Sequence, residues 1–236
     1  ISGFLITKMI VGEVNHGTFS LVRFYKNRVV RLLPNLFLMI AATVVIAYFV
    51  LRPYDFFQYA KSLQFSAVYL TTMVFARHQG YFDMSRDVKP LLHTWSLSIE
   101  EQFYLIFPIF IILLFKLKSH RITLLLVITL ASLWVRFNYI QHHLPTEGFF
   151  SFAGRVWEFA IGALIVLMPN SLKNKLSSNE IISSCGLLII AVSLLFLAEG
   201  IPYSGLLLVL PCLATGRVII SSQNTSSSKW LGGKAL

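Results

Sequence analysis

Long apolar runs alternate with short polar stretches along the whole chain. Predominantly apolar runs occupy residues 36–51, 102–115, 122–137, 149–168, 181–197 and 206–220, and residues 1–11 form about half of a further run. Each full run approaches the ~20 residues that a helix needs to cross the hydrocarbon core of a bilayer. The pattern therefore predicts an all-α fold, a polytopic transmembrane helix bundle with about six to eight membrane segments.

Residues 56–75 are the ambiguous segment of this pattern. They are long enough to span a bilayer, but they include lysine, glutamine, serine and threonine. If the segment does not cross completely, twelve Lys and Arg residues fall on one side of the membrane and five on the other, a bias that the positive-inside rule favours. If it crosses, the bias disappears. We therefore favour a re-entrant segment that is buried in protein or lines a cavity, with an ordinary amphipathic span as the alternative.

The composition supports a membrane protein and argues against other classes. Of 236 residues, 56% are hydrophobic and 13% are charged, against about 45–50% and about 25% in soluble domains. The net charge of +10 comes from Lys and Arg between apolar runs, so nucleic-acid binding is not indicated. Cys185 and Cys212 each lie among apolar residues, and no His/Cys spacing indicates a metal site.

Both ends of the chain indicate a piece of a longer protein. The sequence begins at Ile1, inside an apolar run, and stops at Leu236 without a polar tail. We expect residues 1–236 to form a single transmembrane domain that is incomplete at both termini. Within it, Pro34 is expected to end a basic helix that precedes the run 36–51.

The polar residues of greatest chemical interest lie in residues 91–104, LLHTWSLSIEEQFY, at the mouth of the run 102–115. If this stretch is helical from His93, Ser96 and Glu100 follow at i+3 and i+7 on the same face. Seven residues correspond to about 10.5 Å of rise, so His93 and Glu100 cannot hydrogen-bond directly in a straight helix. A Ser/His/acid triad within this helix is therefore not expected. Partners are expected from elsewhere: from Arg28, Arg31 and Arg155, and from a helix before Ile1.

Two interpretations of this stretch stay open. In the first, His93, Glu100 and Glu101 line a polar pocket as base, orienting group or substrate contacts, because ionisable groups at membrane depth usually face a wet cavity or the protein interior. In the second, the two glutamates neutralise buried arginines such as Arg155 and Arg136 and hold the bundle together. The aromatic residues are expected to be interface anchors or core residues: Trp95, Phe103 and Tyr104.

Charged residues occur twice at a helical spacing of three. Arg28 and Arg31 share a helix face before an apolar run, and the planar fork of arginine suits bidentate phosphate binding. Ordinary positive-inside anchoring is the alternative. Arg155 and Glu158 lie within the run 149–168. That pair is compatible either with a structural ion pair or with a polar binding site.

Four stretches of the chain resemble the membrane-bound acyltransferase 3 family, the O-acetyltransferases of bacterial surface polysaccharides. Residues 1–7 (ISGFLIT) resemble its second-helix signature, and residues 24–34 (FYKNRVVRLLP) resemble its basic RxxRxxP element. Residues 91–104 are similar to the family's most recognisable motif, and residues 154–164 (GRVWEFAIGAL) to its later Arg/Glu helix. The order and spacing of the four stretches agree across nearly the whole chain.

The resemblance implies an enzyme of the bacterial inner (cytoplasmic) membrane that moves an acyl group, usually acetyl from acetyl-CoA, to a glycan hydroxyl. The glycan would be lipopolysaccharide, O-antigen, peptidoglycan or an exported oligosaccharide. Acyl-CoA would be the donor substrate, membrane lipid and the glycan acceptor the other partners, with no bound cofactor and no metal. The sequence indicates no oligomeric state.

The resemblance also implies roles for individual residues. It implies CoA phosphate binding by Arg28 and Arg31, a catalytic group of His93, Glu100 and Glu101, and a substrate chamber lined by Ser2, Trp95, Ser96, Arg155 and Glu158. The family's best-supported catalytic histidine is expected on a helix before Ile1, so these residues would be the supporting half of the site. The alternatives are a transporter or flippase of acyl or polysaccharide units and a non-catalytic membrane scaffold. A transporter would more often show discontinuous helices in corresponding halves of the chain.

Overall fold

A computed structural model describes residues 1–67, 69, 72, 91, 94–117, 120–142, 144–177, 180–197 and 208–224. Within these residues the chain forms ten α-helices and no strand. The helices are α1 (Ser2–Asn15), α2 (Leu21–Val50), α3 (Pro53–Ala67), α4 (Thr94–Lys116), α5 (Arg121–Gln141), α6 (Pro145–Phe150), α7 (Val156–Leu167), α8 (Asn170–Ser177), α9 (Glu180–Leu197) and α10 (Val209–Asn224). The predicted all-α class is confirmed.

Three described helices are long and apolar enough to cross a membrane. They are α2, the Thr94–Phe115 part of α4, and α5. A fourth span is possible if α7 and the adjoining Asn170–Leu176 count as one, although the two parts are bent by 104°. The prediction of a membrane helix bundle is therefore confirmed. With 15 residues, α3 is shorter than these spans, and most of residues 68–75, which would decide whether the segment is re-entrant, lie outside the described residues.

Pro34 does not end a helix, contrary to the prediction. It lies inside α2, which continues for 30 residues from Leu21 to Val50. Proline removes one backbone hydrogen bond, here the one that the Val30 carbonyl would accept. Breaking the helix in an apolar medium would leave several backbone groups without partners instead of one, so the helix continues. Pro108 lies inside α4 in the same way.

The predicted span at residues 149–168 is also wrong as a single helix. Helix α6 ends at Phe150 and α7 begins at Val156, with turns between them. The Ser132 hydroxyl of α5 donates to the Ala153 carbonyl at 2.5 Å and accepts from the Trp157 backbone N–H at 3.1 Å. Because Ser132 satisfies these backbone groups, the chain can leave the helix here and start again. Arg155 consequently occupies the N-cap position of α7.

The chain groups into two compact units. Unit 1 comprises Ile1–Val11, Leu114–Pro145 and Ala153–Leu236, and unit 2 comprises Gly12–Leu113 and Thr146–Phe152. In unit 1, α5 packs on α7, and α10 packs on α7, α8 and α9. In unit 2, α2 packs on α3 around a small core of Ala47, Tyr59 and Leu91. That residues 1–236 form a single domain stays a prediction.

Helices α1 and α7 cross in unit 1 with their backbones in direct contact. A Cβ atom on Gly3 would overlap the carbonyl oxygen of Phe159, and one on Gly162 would lie 2.5 Å from the backbone nitrogen of Phe4. Small residues at a crossing let two membrane helices approach closely enough for dispersion forces to hold them together. Two of the four stretches that resemble family motifs, residues 1–7 and 154–164, therefore pack on each other at this crossing.

Candidate active site

The basic start of α2 and the polar start of α4 meet within unit 2. The Tyr25 hydroxyl donates a 2.7 Å hydrogen bond to the Leu105 carbonyl, joining two residues that are 80 positions apart. Tyr25 precedes Arg28 by one turn of α2, and Leu105 follows Glu100 and Glu101 by about one turn of α4. This contact fixes the register between the two helices and brings the basic motif beside the glutamates.

Arg28 lies over an aromatic face instead of forming a direct salt bridge in the described part of the chain. Its guanidinium carbon is 4.2 Å from the centroid of the Tyr104 ring and 5.8 Å from that of Phe24. The Tyr104 hydroxyl in turn donates a 3.1 Å hydrogen bond to Oε2 of Glu100. A cation over a buried ring is attracted by the ring's negative face. Tyr104 therefore connects Arg28 on α2 to Glu100 on α4.

Glu101 is the second carboxylate of this cluster, which we call the Arg28 cluster (Arg28, Glu100, Glu101 and Tyr104). Its side chain is half-buried, and its Oε1 atom is fully buried with no hydrogen-bond partner among the described residues. The charges of Arg28 and Glu100 both act on it. A carboxylate with a buried oxygen that no protein group satisfies is suited to accept a hydrogen bond or a proton from a ligand.

Tyr69 lies beside the Arg28 cluster. The Gln102 side-chain amide donates to the Tyr69 carbonyl at 3.2 Å and to the Thr72 hydroxyl at 3.3 Å, which places the 69–72 segment against the first turns of α4. Burial raises the pKa of the Tyr69 phenol, and the negative charge of Glu101 raises it further. The phenol is therefore protonated at neutral pH and keeps its ability to donate a hydrogen bond.

The other predicted site residues of unit 2 take different positions. Arg31 lies one turn beyond Arg28 with an exposed side chain, and Ser96 is also exposed on the first turn of α4. The Trp95 ring packs against Phe149 and Phe150, with centroids 4.8 and 5.6 Å apart. This aromatic packing agrees with the predicted anchor or core role of Trp95. His93 lies outside the described residues, so its catalytic role stays a prediction.

Arg155 and Glu158 form an ion pair in unit 1. Nε and Nη2 of Arg155 donate to the two carboxylate oxygens of Glu158 at 2.9 and 2.8 Å, a bidentate geometry. Arg136 of α5 is buried, and the charges of Arg155 and Glu158 both act on it. Ser2, also in unit 1, is half-buried at the start of α1. The carboxylate that neutralises Arg155 is therefore its neighbour Glu158, and a substrate-chamber role for the pair stays a prediction.

Sequence reasoning did not single out Tyr104, Tyr69 or Gln102 as site residues. It assigned Tyr104 to anchors and core, and the residue is indeed buried, but it also holds Arg28 and Glu100. A signal for Tyr104 was present, because it stands at i+4 from Glu100 on a predicted helix. No signal in the sequence marked Tyr69, since its role depends on a backbone conformation and on contacts with a distant helix.

The link through Tyr104 predicts a graded loss of stability. Tyr104→Phe keeps the ring under Arg28 but removes the hydrogen bond to the Glu100 side chain, which should cost about 0.5–3 kcal/mol. Tyr104→Leu removes the ring as well and should cost about 0.5–2 kcal/mol more. Thermal unfolding of the detergent-solubilised protein measures both. Tyr48→Phe, on an exposed part of α2, is the control; equal stability of the Phe and Leu variants would contradict the ring contact.

A comparison with protein families decides the class of this chain. A family model described as an acyltransferase domain matches residues 1–233. The chain belongs to the acyltransferase 3 family. The resemblance of its four motif stretches is thereby confirmed, and with it the prediction of an integral membrane protein from a family of acyl-transferring enzymes. No solved structure matches the chain.

Several curated proteins are similar to this member of the acyltransferase 3 family. An "uncharacterized protein" of Haemophilus influenzae is 33% identical over 237 residues, covering 95% of this chain and 96% of that protein. A "putative membrane-bound transacylase" of Komagataeibacter xylinus is 28% identical, covering 90% of this chain and 54% of the relative. A "peptidoglycan O-acetyltransferase" of Listeria monocytogenes is 29% identical, covering 71% of this chain and 28% of that protein. The chain thus spans about half of the Komagataeibacter relative and less than a third of the Listeria relative.

Proposed function

We propose that this chain is the membrane part of an O-acyltransferase that moves an acetyl group from acetyl-CoA to a hydroxyl of a cell-surface or exported glycan. The observation that carries the proposal is the Arg28 cluster, which combines an arginine, two carboxylates and a phenol at the start of a membrane helix. The name of the Listeria relative supports a glycan as acceptor. The proposed location is the cytoplasmic membrane of a bacterium, where acetyl-CoA is available on the inner side.

Arg28 is suited to bind a phosphate of the acyl-CoA donor. The rings of Phe24 and Tyr104 hold its guanidinium group by contacts that use none of its N–H donors. Those donors can therefore form a bidentate contact with phosphate oxygens. Arg31, exposed one turn further along α2, can add a second contact to the same polyanionic ligand.

The carboxylates supply the acid–base chemistry of the proposed reaction. The acceptor hydroxyl oxygen attacks the thioester carbonyl carbon, an O–C bond forms, and the C–S bond breaks. The hydroxyl proton passes to the Glu101 carboxylate as general base, and the CoA thiolate leaves with the electron pair of the C–S bond and takes up a proton. Glu100 fixes Tyr104, and thereby Arg28, in position for the donor. The proposal keeps His93 as a further base and Ser2, Trp95, Ser96, Arg155 and Glu158 as residues of the substrate chamber.

Transfer of labelled acetyl groups tests the proposed function. Membranes that contain the full-length protein are incubated with radiolabelled acetyl-CoA, and label in the purified envelope glycan is measured. We expect transfer by the wild type, and a KM for acetyl-CoA raised about tenfold in Arg28→Lys with kcat little changed. Lysine keeps the charge but loses the planar fork and the ring stacking, and a lost contact of ~1.4 kcal/mol is a factor of ten.

Arg23→Lys is the matched control, because Arg23 is exposed on the same helix and lies outside the Arg28 cluster. An unchanged KM in Arg28→Lys would remove Arg28 from the donor site. If the wild type transfers no acetyl group but moves labelled acyl or glycan units across the membrane, the protein is a transporter and the proposed function is wrong.

A further inference from the structure

Tyr69 combines two features that the roles proposed above do not explain. Its φ angle is +56°, and it is the one residue other than glycine with a positive φ among those that the structure describes. A side chain as large as tyrosine rarely adopts this left-handed conformation. Such residues cluster at functional sites, where the surrounding structure holds them in place. Here the Tyr69 N–H donates to the Ser66 carbonyl at the end of α3 at 3.2 Å, and Gln102 donates to the Tyr69 carbonyl from α4, so both sides of the residue are held.

The Tyr69 hydroxyl is buried and has no hydrogen-bond partner among the described residues. Oε1 of Glu101 is also buried and also has no hydrogen-bond partner among the described residues. The charge of Glu101 acts on the Tyr69 phenol. The two groups are complementary in chemistry, since the phenol donates a hydrogen bond and the carboxylate accepts one. Buried polar atoms are almost always satisfied in native proteins. Gln102, the chain neighbour of Glu101, holds the Tyr69 carbonyl at 3.2 Å, so two orphan atoms of opposite character lie in the same part of unit 2 and indicate a ligand group that serves both.

The hydrogen-bonding needs of this pair restrict the ligand group. A carbonyl oxygen accepts from Tyr69 but offers nothing to Glu101, and an ammonium group donates to Glu101 but cannot accept from Tyr69. An alcohol hydroxyl does both at once: its hydrogen points to Glu101 and its oxygen lone pair receives the Tyr69 hydrogen. We propose that Tyr69 and Glu101 together bind the reacting hydroxyl of the acceptor. This inference rests on the proposed function and adds Tyr69 as a substrate-binding residue.

The arrangement also orients the hydroxyl for attack. Glu101 removes the proton along the O–H bond, while the Tyr69 contact occupies one lone pair of the oxygen and leaves the other for the thioester carbon. No proton moves to or from Tyr69 in this step. Because the Tyr69 hydroxyl has no hydrogen-bond partner among the residues that the structure describes, removing it should not weaken the resting protein, although it should weaken the reaction. Loss of activity without loss of stability is the signature that separates a binding role from a structural one.

The test compares Tyr69→Phe with the wild type in the full-length protein. Membranes carry out transfer from radiolabelled acetyl-CoA to their own envelope glycan, and the purified proteins are melted in detergent. We expect the transfer rate to fall about tenfold, the KM for acetyl-CoA to stay constant, and the melting temperature to stay equal or rise. The combined variant Tyr69→Phe/Glu101→Gln should lose no more activity than Glu101→Gln alone, since both groups hold one hydroxyl. Tyr48→Phe serves as the control for a tyrosine outside the site.

Three distinguishable outcomes would contradict the hydroxyl site alone or the hydroxyl site together with the proposed function. If the wild type transfers acetyl and Tyr69→Phe does so at the same rate, the hydroxyl site is wrong while the proposed function stands. If Tyr69→Phe loses activity and melting temperature together, Tyr69 is structural or binds only a buried water, and the inference is again wrong. If the wild type transfers no acetyl group, the proposed function fails and the hydroxyl site fails with it.

Discussion

Replacing Gly162 with alanine is expected to lower the melting temperature of the detergent-solubilised protein by about 6–12 °C, the shift that ~3 kcal/mol causes in a chain of this size. The new Cβ would lie 2.5 Å from the Phe4 nitrogen and 3.0 Å from the Gly3 carbonyl carbon. Both neighbours are backbone atoms and cannot rotate away, so α1 must shift as a whole. Overpacking of this kind costs about 1–3 kcal/mol and occasionally more.

The same crossing supplies a second variant and a matched control. Gly3→Ala should destabilise at least as much, because its Cβ would overlap the Phe159 carbonyl oxygen. Gly12→Ala, on the same helix α1, meets no atom within 4 Å. It should raise stability by about 0.5–1 kcal/mol, as alanine does in place of glycine in a helix. If Gly162→Ala and Gly12→Ala melted alike, the close crossing of α1 and α7 would be refuted.

Glu158→Gln is expected to destabilise unit 1 by about 3 kcal/mol. The change removes the negative charge from a bidentate pair whose side chains are only 19% and 23% exposed. It leaves the Arg155 and Arg136 charges near each other in an apolar region. Breaking a buried ion pair from one side costs about 3–5 kcal/mol, and we take the lower end because the pair is partly exposed. Chemical or thermal unfolding in detergent measures the loss.

A charge exchange separates the two interpretations of this pair. The double variant Arg155→Glu/Glu158→Arg keeps both charges at the same spacing and should regain most of the lost stability. If it also regains acyl transfer, the pair is structural; if stability returns without transfer, the pair belongs to a binding site. Glu13→Gln on α1 is the control, expected to change stability by less than about 0.5 kcal/mol. A Glu158→Gln protein as stable as this control would contradict a stabilising pair.

The helical class and the membrane location could be predicted because they depend on local pattern. In the apolar core of a membrane no water can bond the backbone N–H and C=O groups, so these groups must pair with each other. A helix pairs them within one segment. The family could be recognised because its motifs are continuous stretches of sequence. The spacing of His93 and Glu100 predicts partners from outside their stretch; this stays a prediction, since His93 lies outside the described residues, while Tyr104 connects Arg28 to Glu100.

The features that could not be predicted depend on contacts between distant segments. Local preference suggested that Pro34 ends a helix, but the apolar surroundings keep the helix continuous. Nothing in the run 149–168 shows that Ser132, on another helix, accepts and donates the hydrogen bonds that let the chain turn there. The contact between the Tyr69 carbonyl and Gln102, 33 residues away, likewise joins distant segments, so the sequence around Tyr69 does not contain it.

The joining of Arg28 to Glu100 through Tyr104 has a consequence for the order of biosynthesis. The two residues are 72 positions apart in the chain, and ribosomes add about 5–20 residues per second. Arg28 is therefore synthesised roughly 4–14 s before Glu100, and α2 can begin to insert before the glutamates of α4 are available. During that interval the Arg28 side chain must reach the aqueous interface, as long basic side chains near helix ends can. The polar cluster is thus completed only when α4 arrives, as a late step in maturation that follows insertion.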